Sequence, residues 1–179
     1  VELEAFLNAL LSHEVARLRR HPEFQELNRW KWSAHEIKQV EKAIGFGLPT
    51  DLKEILLETG GFALSQTELY FSAHFSGGYE EEGEVQIMFQ DFETVIDLHK
   101  TLVISPDNPG RLDPKYLVFG TADGGNSFLL TDAGGAIYYW PLAFDPIGEG
   151  DNAAGVAKVA GSMPEFIRGL RALDGSLGR

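Results

Sequence analysis

Residues 120–141 read GTADGGNSFLLTDAGGAIYYWP, and two readings compete for them. Gly120-Thr121-Ala122-Asp123-Gly124-Gly125-Asn126-Ser127 fits the phosphate-loop pattern G-x-x-x-x-G-K-[ST] except at Asn126, where the lysine belongs. The apolar run Tyr116-Leu117-Val118-Phe119 stands just before it, as the strand ahead of such a loop would. A phosphate loop works because backbone N–H groups, the positive end of a following helix and a lysine converge on the anion. Here the lysine is missing, Asp123 adds a negative charge, and Phe128-Leu129-Leu130 continues as a strand. Glycine supplies positive φ without steric cost, so tight turns between strands explain the same residues with less strain. The stretch is read as strand, turn, strand, turn, strand, and not as a nucleotide site.

The pattern extends in both directions. Three strands at Tyr116–Phe119, Ser127–Thr131 and Ala136–Trp140, joined by short turns rich in glycine and aspartate, predict an antiparallel meander. Upstream, Leu69-Tyr70-Phe71 and Val85-Gln86-Ile87-Met88-Phe89 read as two more strands. Phe92, Val95, Ile96 and His99 mark a short helix, and a proline-rich loop runs from Ser105 to Pro114. Pro141 to Ala154 reads as a loop. Ser162-Met163-Pro164-Glu165 is a capping box opening a last helix, with Phe166, Ile167, Leu170 and Leu173 inward.

The first third is helical. Leu3, Phe6, Leu7, Leu10, Leu11, Val15 and Leu18 recur at helical spacing, which predicts an amphipathic helix over 2–20, stopped or bent at His21-Pro22. Ser33-Ala34-His35-Glu36 is a capping box, Ile37, Val40 and Ile44 form a stripe, and Gly45 stands where a left-handed end residue is wanted. Leu48-Pro49-Thr50-Asp51 begins another helix, with Leu52, Ile55 and Leu56 inward, and Gly60-Gly61 ends it. Trp30 and Trp32 share one side of an extended segment. They read as amphipathic anchors at the core edge, with a partner hot spot as the alternative.

The predicted fold class is α+β: a single domain, mainly an antiparallel meander with helices packed beside it. Residues 1–32 form a helical extension and 33–179 the domain itself, one compact unit overall. With 179 residues and 44% hydrophobic content the chain can bury a sizeable core. No run approaches the roughly 18 apolar residues of a membrane span. The opening Val1-Glu2-Leu3-Glu4 is acidic where a secretory leader is basic, and there is no cysteine. These features predict a cytoplasmic protein without disulfides or thiol chemistry.

Charge narrows the partners. With 27 acidic against 15 basic residues the net charge is −12, which repels phosphate backbones and anionic lipid. Direct nucleic-acid and membrane binding are therefore not expected, and the longest cationic cluster is Arg17, Arg19 and Arg20. His13-Glu14 and His35-Glu36 lack the second histidine of a metalloprotease pair, and His13, His21, His35, His74 and His99 show no ligand spacing. There is no G-x-S-x-G elbow, and scattered carboxylates give no glycosidase signal. The expectation is no enzyme, no metal and no cofactor.

Glu80-Glu81-Glu82 with Glu84 follows Gly77-Gly78 and reads as a solvated hairpin tip, or as an acidic contact for a cationic partner. Asp145, Glu149 and Asp151 form a second acidic candidate. Both strips are placed in loops, where no core demands the side chains.

The ordered set of segments resembles the SUKH superfamily, which includes bacterial immunity proteins and the Smi/Knr-type cell-wall-assembly regulator. The matching pieces are Ile37-x-x-x-Glu41-x-x-x-Gly45, Leu48-Pro49-x-Asp51-Leu52-x-x-x-Leu56, Gly60-Gly61, Gly120-x-x-Asp123-Gly124-Gly125-Asn126, Leu130-x-Asp132, Gly135-x-Ile137-Tyr138-x-Trp140 and Ser162-Met163-x-Glu165-Phe166. Leu52 and Met163 stand where the family has larger aromatic residues, a swap that keeps apolar volume. The resemblance implies no catalysis. It implies that Glu41 accepts hydrogen bonds from a neighbouring turn, that Gly120 and Gly124 permit tight backbone approach, and that Trp140 packs across the sheet. For a bacterial member it implies neutralisation of a toxin, often a nuclease, by tight binding in the cytoplasm, and the charge balance separately points to a basic partner surface. A regulatory module with a cellular partner is the alternative.

Overall fold

The computed structural model describes residues 31–58, 69–76, 78–87, 91–107, 109–141 and 155–172. The predicted helix over 2–20, Trp30, Gly60-Gly61, the acidic residues Asp145, Glu149 and Asp151, and Leu173 lie outside the described residues.

The first helix begins and ends as its residue types dictate. Ser33 Oγ accepts the Glu36 N–H at 3.2 Å and the Glu36 carboxylate accepts the Ser33 N–H, completing the capping box of α1 (Ala34–Ile44). Gly45 closes α1 at φ 82°, where a Cβ would be strained, and its N–H donates to Glu41 O. The corner to α2 (Thr50–Glu58) is tied by Glu41, whose Oε1 accepts the Leu48 N–H at 2.9 Å and sits 2.6 Å from Lys53 Nζ. Ile37, Val40, Leu52 and Leu56 are buried by this pair.

The strands β1 (Leu69–His74), β2 (Glu80–Ile87), β3 (Leu117–Ala122), β4 (Ser127–Thr131), β5 (Ile137–Pro141) and β6 (Ala157–Ala160) each pair antiparallel with the next in sequence. β6 also meets β1 at Lys158↔His74, so the sheet closes into a barrel-like ring. A two-residue strand, β7 (Arg171–Ala172), pairs with Leu69 and Tyr70 of β1. α3 (Phe92–Leu102), capped by Asp91, lies between β2 and β3 in sequence, and α4 (Met163–Gly169) between β6 and β7.

The meander over 117–141 is therefore as expected, and the opening stretch is settled by its geometry. Asp123–Gly125 makes one 3-10 turn, with Asp123 at φ 54° and Gly124 at φ 68°, and β4 follows directly. Among the described residues no α-helix starts from that turn, so it lacks the dipole a phosphate site uses. A Cβ on Gly124 would meet nothing closer than Asn126 Nδ2 at 3.9 Å. This glycine serves a left-handed backbone, not the close approach the resemblance implied.

β3, β4 and β5 are buried on both faces, which is why they read as continuous apolar runs. On one face Leu117, Phe119, Leu129 and Tyr139 join the helices and Phe71 in the main core. On the other, Val118, Leu130, Phe128 and Trp140 pack under Leu102, Val103 and Leu112. Trp140 is fully buried in this second cluster, 5.7 Å from the Phe128 ring centre.

Three expectations need correction. The acidic run is not a hairpin tip, because Glu80 to Glu84 already belong to β2 and the Phe75–Tyr79 backbone bond closes the hairpin ahead of them. The last helix stops at Gly169, and Leu170 is buried in extended conformation as the chain turns into β7. Its cap is also offset: Ser162 Oγ accepts the Glu165 N–H, but the Glu165 carboxylate takes the N–H of Gly161, not of Ser162.

Candidate functional site

The β1–β2 hairpin carries most of the acidic residues singled out from the sequence. Its tip is closed by two backbone bonds, Phe75 N–H to Tyr79 O at 2.8 Å and Gly78 N–H to Phe75 O at 3.2 Å. The register pairs His74 with Glu80, Ala73 with Glu81, Ser72 with Glu82, Phe71 with Gly83 and Tyr70 with Glu84. Side chains alternate across a strand, so this pairing sorts the glutamates onto two faces.

Glu80, Glu82 and Glu84 point outward with Ser72 and His74. Glu80 and Glu82 are exposed and Glu84 is half-buried. Glu80 Oε1 lies 3.9 Å from His74 Nε2. Glu82 Oε1 accepts a hydrogen bond from Arg171 Nη2 at 2.7 Å, and the same nitrogen donates to Ser72 Oγ at 2.7 Å. Lys158, exposed on β6, stands opposite His74. The strip is thus a mixed row of charges rather than a bare acidic loop.

Glu81 goes the other way. It shares its face with buried Gly83 and Val85, and it meets Asp123 and Tyr139. Burial first, then the nearby Asp123 carboxylate, push its pKa up, while a hydrogen bond with Tyr139 works in the opposite direction. Asp123 is well held there: Oδ1 accepts the Glu84 N–H at 2.8 Å and Oδ2 accepts the Tyr139 hydroxyl at 2.7 Å. Ser127 Oγ lies 3.2 Å from the same hydroxyl. Burial, reinforced by Asp123, drives the Tyr139 phenol well above its ordinary range, so it stays a neutral donor. Asp123 therefore welds the β3–β4 turn to β2 and β5. A second aspartate does the same for the next turn: Asp132 accepts the N–H groups of Gly134 and Ala136 and the Tyr138 hydroxyl, the last at 2.7 Å.

Trp32 is 5% exposed, with its ring edge-on to Phe92 at 6.5 Å between centres. That burial fits core packing, the first of its two readings. Residues that sequence reasoning passed over are Asp123 as a turn anchor, Tyr139, Tyr79 and Arg171. Tyr79 stood beside the glutamate run, but Arg171 gave no signal because its partners are remote in the chain. Among the described residues no group of histidine and acidic side chains could hold a metal ion, and no helix is long and apolar enough to cross a membrane.

The fold and these anchors meet in one comparison. The model of the SMI1 / KNR4 family (SUKH-1) matches residues 31–169. The chain belongs to this family. The matched span begins two residues before the Ser33 capping box and ends with α4, so every described strand of the ring lies within the SUKH domain. Glu41, Asp123 and Asp132 of this SUKH domain each hold a turn in place. That is structural work, and it leaves the outer surfaces available for recognition. No curated protein matches the chain.

Proposed function

We propose that this SUKH domain is a non-catalytic protein-binding domain acting as an immunity protein. In this reading it neutralises a cognate polymorphic toxin in the bacterial cytoplasm by covering a basic working surface, such as that of a nuclease. Family membership over residues 31–169 carries the reading. The charge of −12 supports it, because electrostatic complementarity speeds encounter with a cationic protein and disfavours nucleic acid itself. Within the domain, the outward Glu80, Glu82 and Glu84 are the described part of the acidic contact, and Asp145, Glu149 and Asp151 remain its second candidate strip.

The test is co-expression with the toxin domain encoded by the neighbouring gene. A stable complex and rescued growth are expected, with no turnover of substrate by the SUKH domain alone. Growth arrest that the domain does not relieve refutes the immunity role. A second reading follows from the family's regulator branch: a regulatory module that binds a cellular protein of cell-wall assembly. Reproducible co-purification with such a protein, and none with a toxin, decides for it.

A further inference from the structure

The β1–β2 hairpin runs on past the end of β3, and one edge of β2 is left open there. β2 pairs with β1 from Glu80 to Val85, but with β3 only at Val85 and Ile87. Two hydrogen bonds fix which way its main-chain groups point. Phe75 N–H donates to Tyr79 O at 2.8 Å, so these two form a hydrogen-bonded pair. Such pairs alternate down an antiparallel ladder, which makes Ala73 with Glu81 and Phe71 with Gly83 the next two. The N–H and C=O groups of Glu80, Glu82 and Glu84 therefore project away from β1. Glu84 agrees, because its N–H donates to Asp123 Oδ1 at 2.8 Å on the β3 side. Beyond that point β3 has given way to the Asp123–Gly125 turn. Among the described residues no hydrogen bond from that side reaches the main chain of Glu80 or Glu82. Glu80, Glu82, Gly124 and Gly125 are all exposed.

Water can satisfy these groups one at a time, but an extended chain satisfies them together and in register. We infer that the open edge of β2 at Glu80–Glu82 takes an extended segment of the partner protein as an added antiparallel strand, in the line that β3 vacates. In such a ladder the residues opposite Glu80 and Glu82 send their side chains to the same outer face as the glutamates. The occupant is therefore a segment with lysine or arginine at alternate positions. A second copy of this chain is the poorer occupant, since edge-to-edge pairing would set glutamate against glutamate. The inference rests on the protein-binding reading above and adds how the partner is held. Main-chain bonds hold it, and the charges select it.

The probe is a terminally blocked peptide of alternating lysine and valine, about six residues long as strands usually are, titrated into the isotope-labelled full chain. In the free chain the Glu80 and Glu82 amides should exchange with deuterium faster than those of Glu81 and Gly83, which the β1 ladder holds. The peptide should shift the Glu80 and Glu82 signals saturably and slow their exchange. N-methylation of its lysine amides keeps every charge and removes the donors that face β2, so affinity should fall about tenfold or more. N-methylation of its valine amides, which face solvent in the added strand, should change affinity little. Glu82→Gln should weaken binding about threefold, the scale of an exposed charge pair. Glu82→Pro removes an edge donor and no β1 bond, and should abolish binding. The two methylated peptides carry the test on the parent chain should the proline variant fail to fold.

Equal loss from both methylated peptides, no loss from either, or protection centred on other amides overturns the inference. A dimer of the free chain that Glu82→Pro dissolves gives the edge to a second copy and overturns it too. A toxin that co-purifies equally with the parent and with Glu82→Pro also overturns it, while leaving the protein-binding reading intact. Edge protection by the peptide without any co-purifying partner supports the inference and counts against that reading.

Discussion

The ring of Phe71 occupies the place where a side chain of Gly83 would be. The two residues face each other across β1 and β2, and a Cβ built on Gly83 would lie 2.2 Å from Phe71 Cζ. Phe71 cannot retreat, because Tyr139 at 5.1 Å and Phe166 at 5.6 Å pack edge-on against it between ring centres. This contact sets which way the acidic strand faces. With Gly83 inward, Glu82 and Glu84 are turned out and Glu81 is turned in.

Gly83→Ala is therefore expected to destabilise the domain by about 1–3 kcal/mol or more, through overpacking of a filled site. Gly78→Ala is the comparison: it is a left-handed glycine at φ +83° with open space around it, so only backbone strain of about 1–2 kcal/mol applies. Urea midpoints of the two variants should separate in that order. A harmless Gly83→Ala would mean that Phe71 has room to move.

Glu41→Ala should cost about 1–3 kcal/mol by leaving the Leu48 N–H without its acceptor. Glu41→Gln keeps an acceptor and loses only the charge opposite Lys53, so it should lie between alanine and the parent. Lys53 chiefly, helped by the Leu48 N–H, holds the Glu41 carboxyl below the usual range. A depressed carboxyl pKa stabilises the folded state above the unfolded value, and that contribution disappears as pH falls through the folded value. The gap between parent and Glu41→Gln should thus narrow in acid, as followed by chemical denaturation.

Glu81→Gln is expected to raise stability near neutral pH. Glu81 is held up by burial and by Asp123, so its ionised form is disfavoured in the folded chain. Stability from a raised carboxyl pKa is complete below the unfolded value and is lost as pH rises through the folded one. The advantage of glutamine should fade as pH drops below the ordinary carboxylate range. Thermal melts across that range check the sign, and a variant less stable at neutral pH would show that the ionised carboxylate is needed by Tyr139.

His99 adds a response at milder acidity. It is 3% exposed on α3, its Nδ1 has no hydrogen-bond partner, and burial lowers its pKa. Above the ordinary histidine value both states are neutral. As pH falls below about 6.5 the unfolded chain takes a proton that the folded chain refuses, so stability declines until the folded pKa is reached. His99→Leu should flatten that decline without loss near neutral pH, because it also removes an unpaired polar atom. An unchanged pH profile would place the acid sensitivity elsewhere.

Local chemistry made much of this domain legible in the sequence. The Ser33 box, the left-handed Gly45 and the turn glycines act over a few residues, and the apolar runs over 117–140 stay apolar because both faces of those strands are covered. The order and direction of β3, β4 and β5 follow from short turns alone. The Ser162 cap was legible too, although its glutamate reaches one residue further back than the motif suggests.

Closure of the ring was not legible. β6 is four residues and β7 two, and both pair with a strand far away in sequence, where no local pattern reports them. The polar run Glu80-Glu81-Glu82-Gly83-Glu84 lacks the apolar alternation that reveals a strand and its register. Its sides were assigned only when Phe71 came across the hairpin and found the one residue without a side chain. The sequence by itself determined both ends of α1, the Ser162 cap, the meander and a strongly acidic composition. Tertiary packing alone decided which glutamates turn outward, because strand parity is set by what the opposite strand can accommodate.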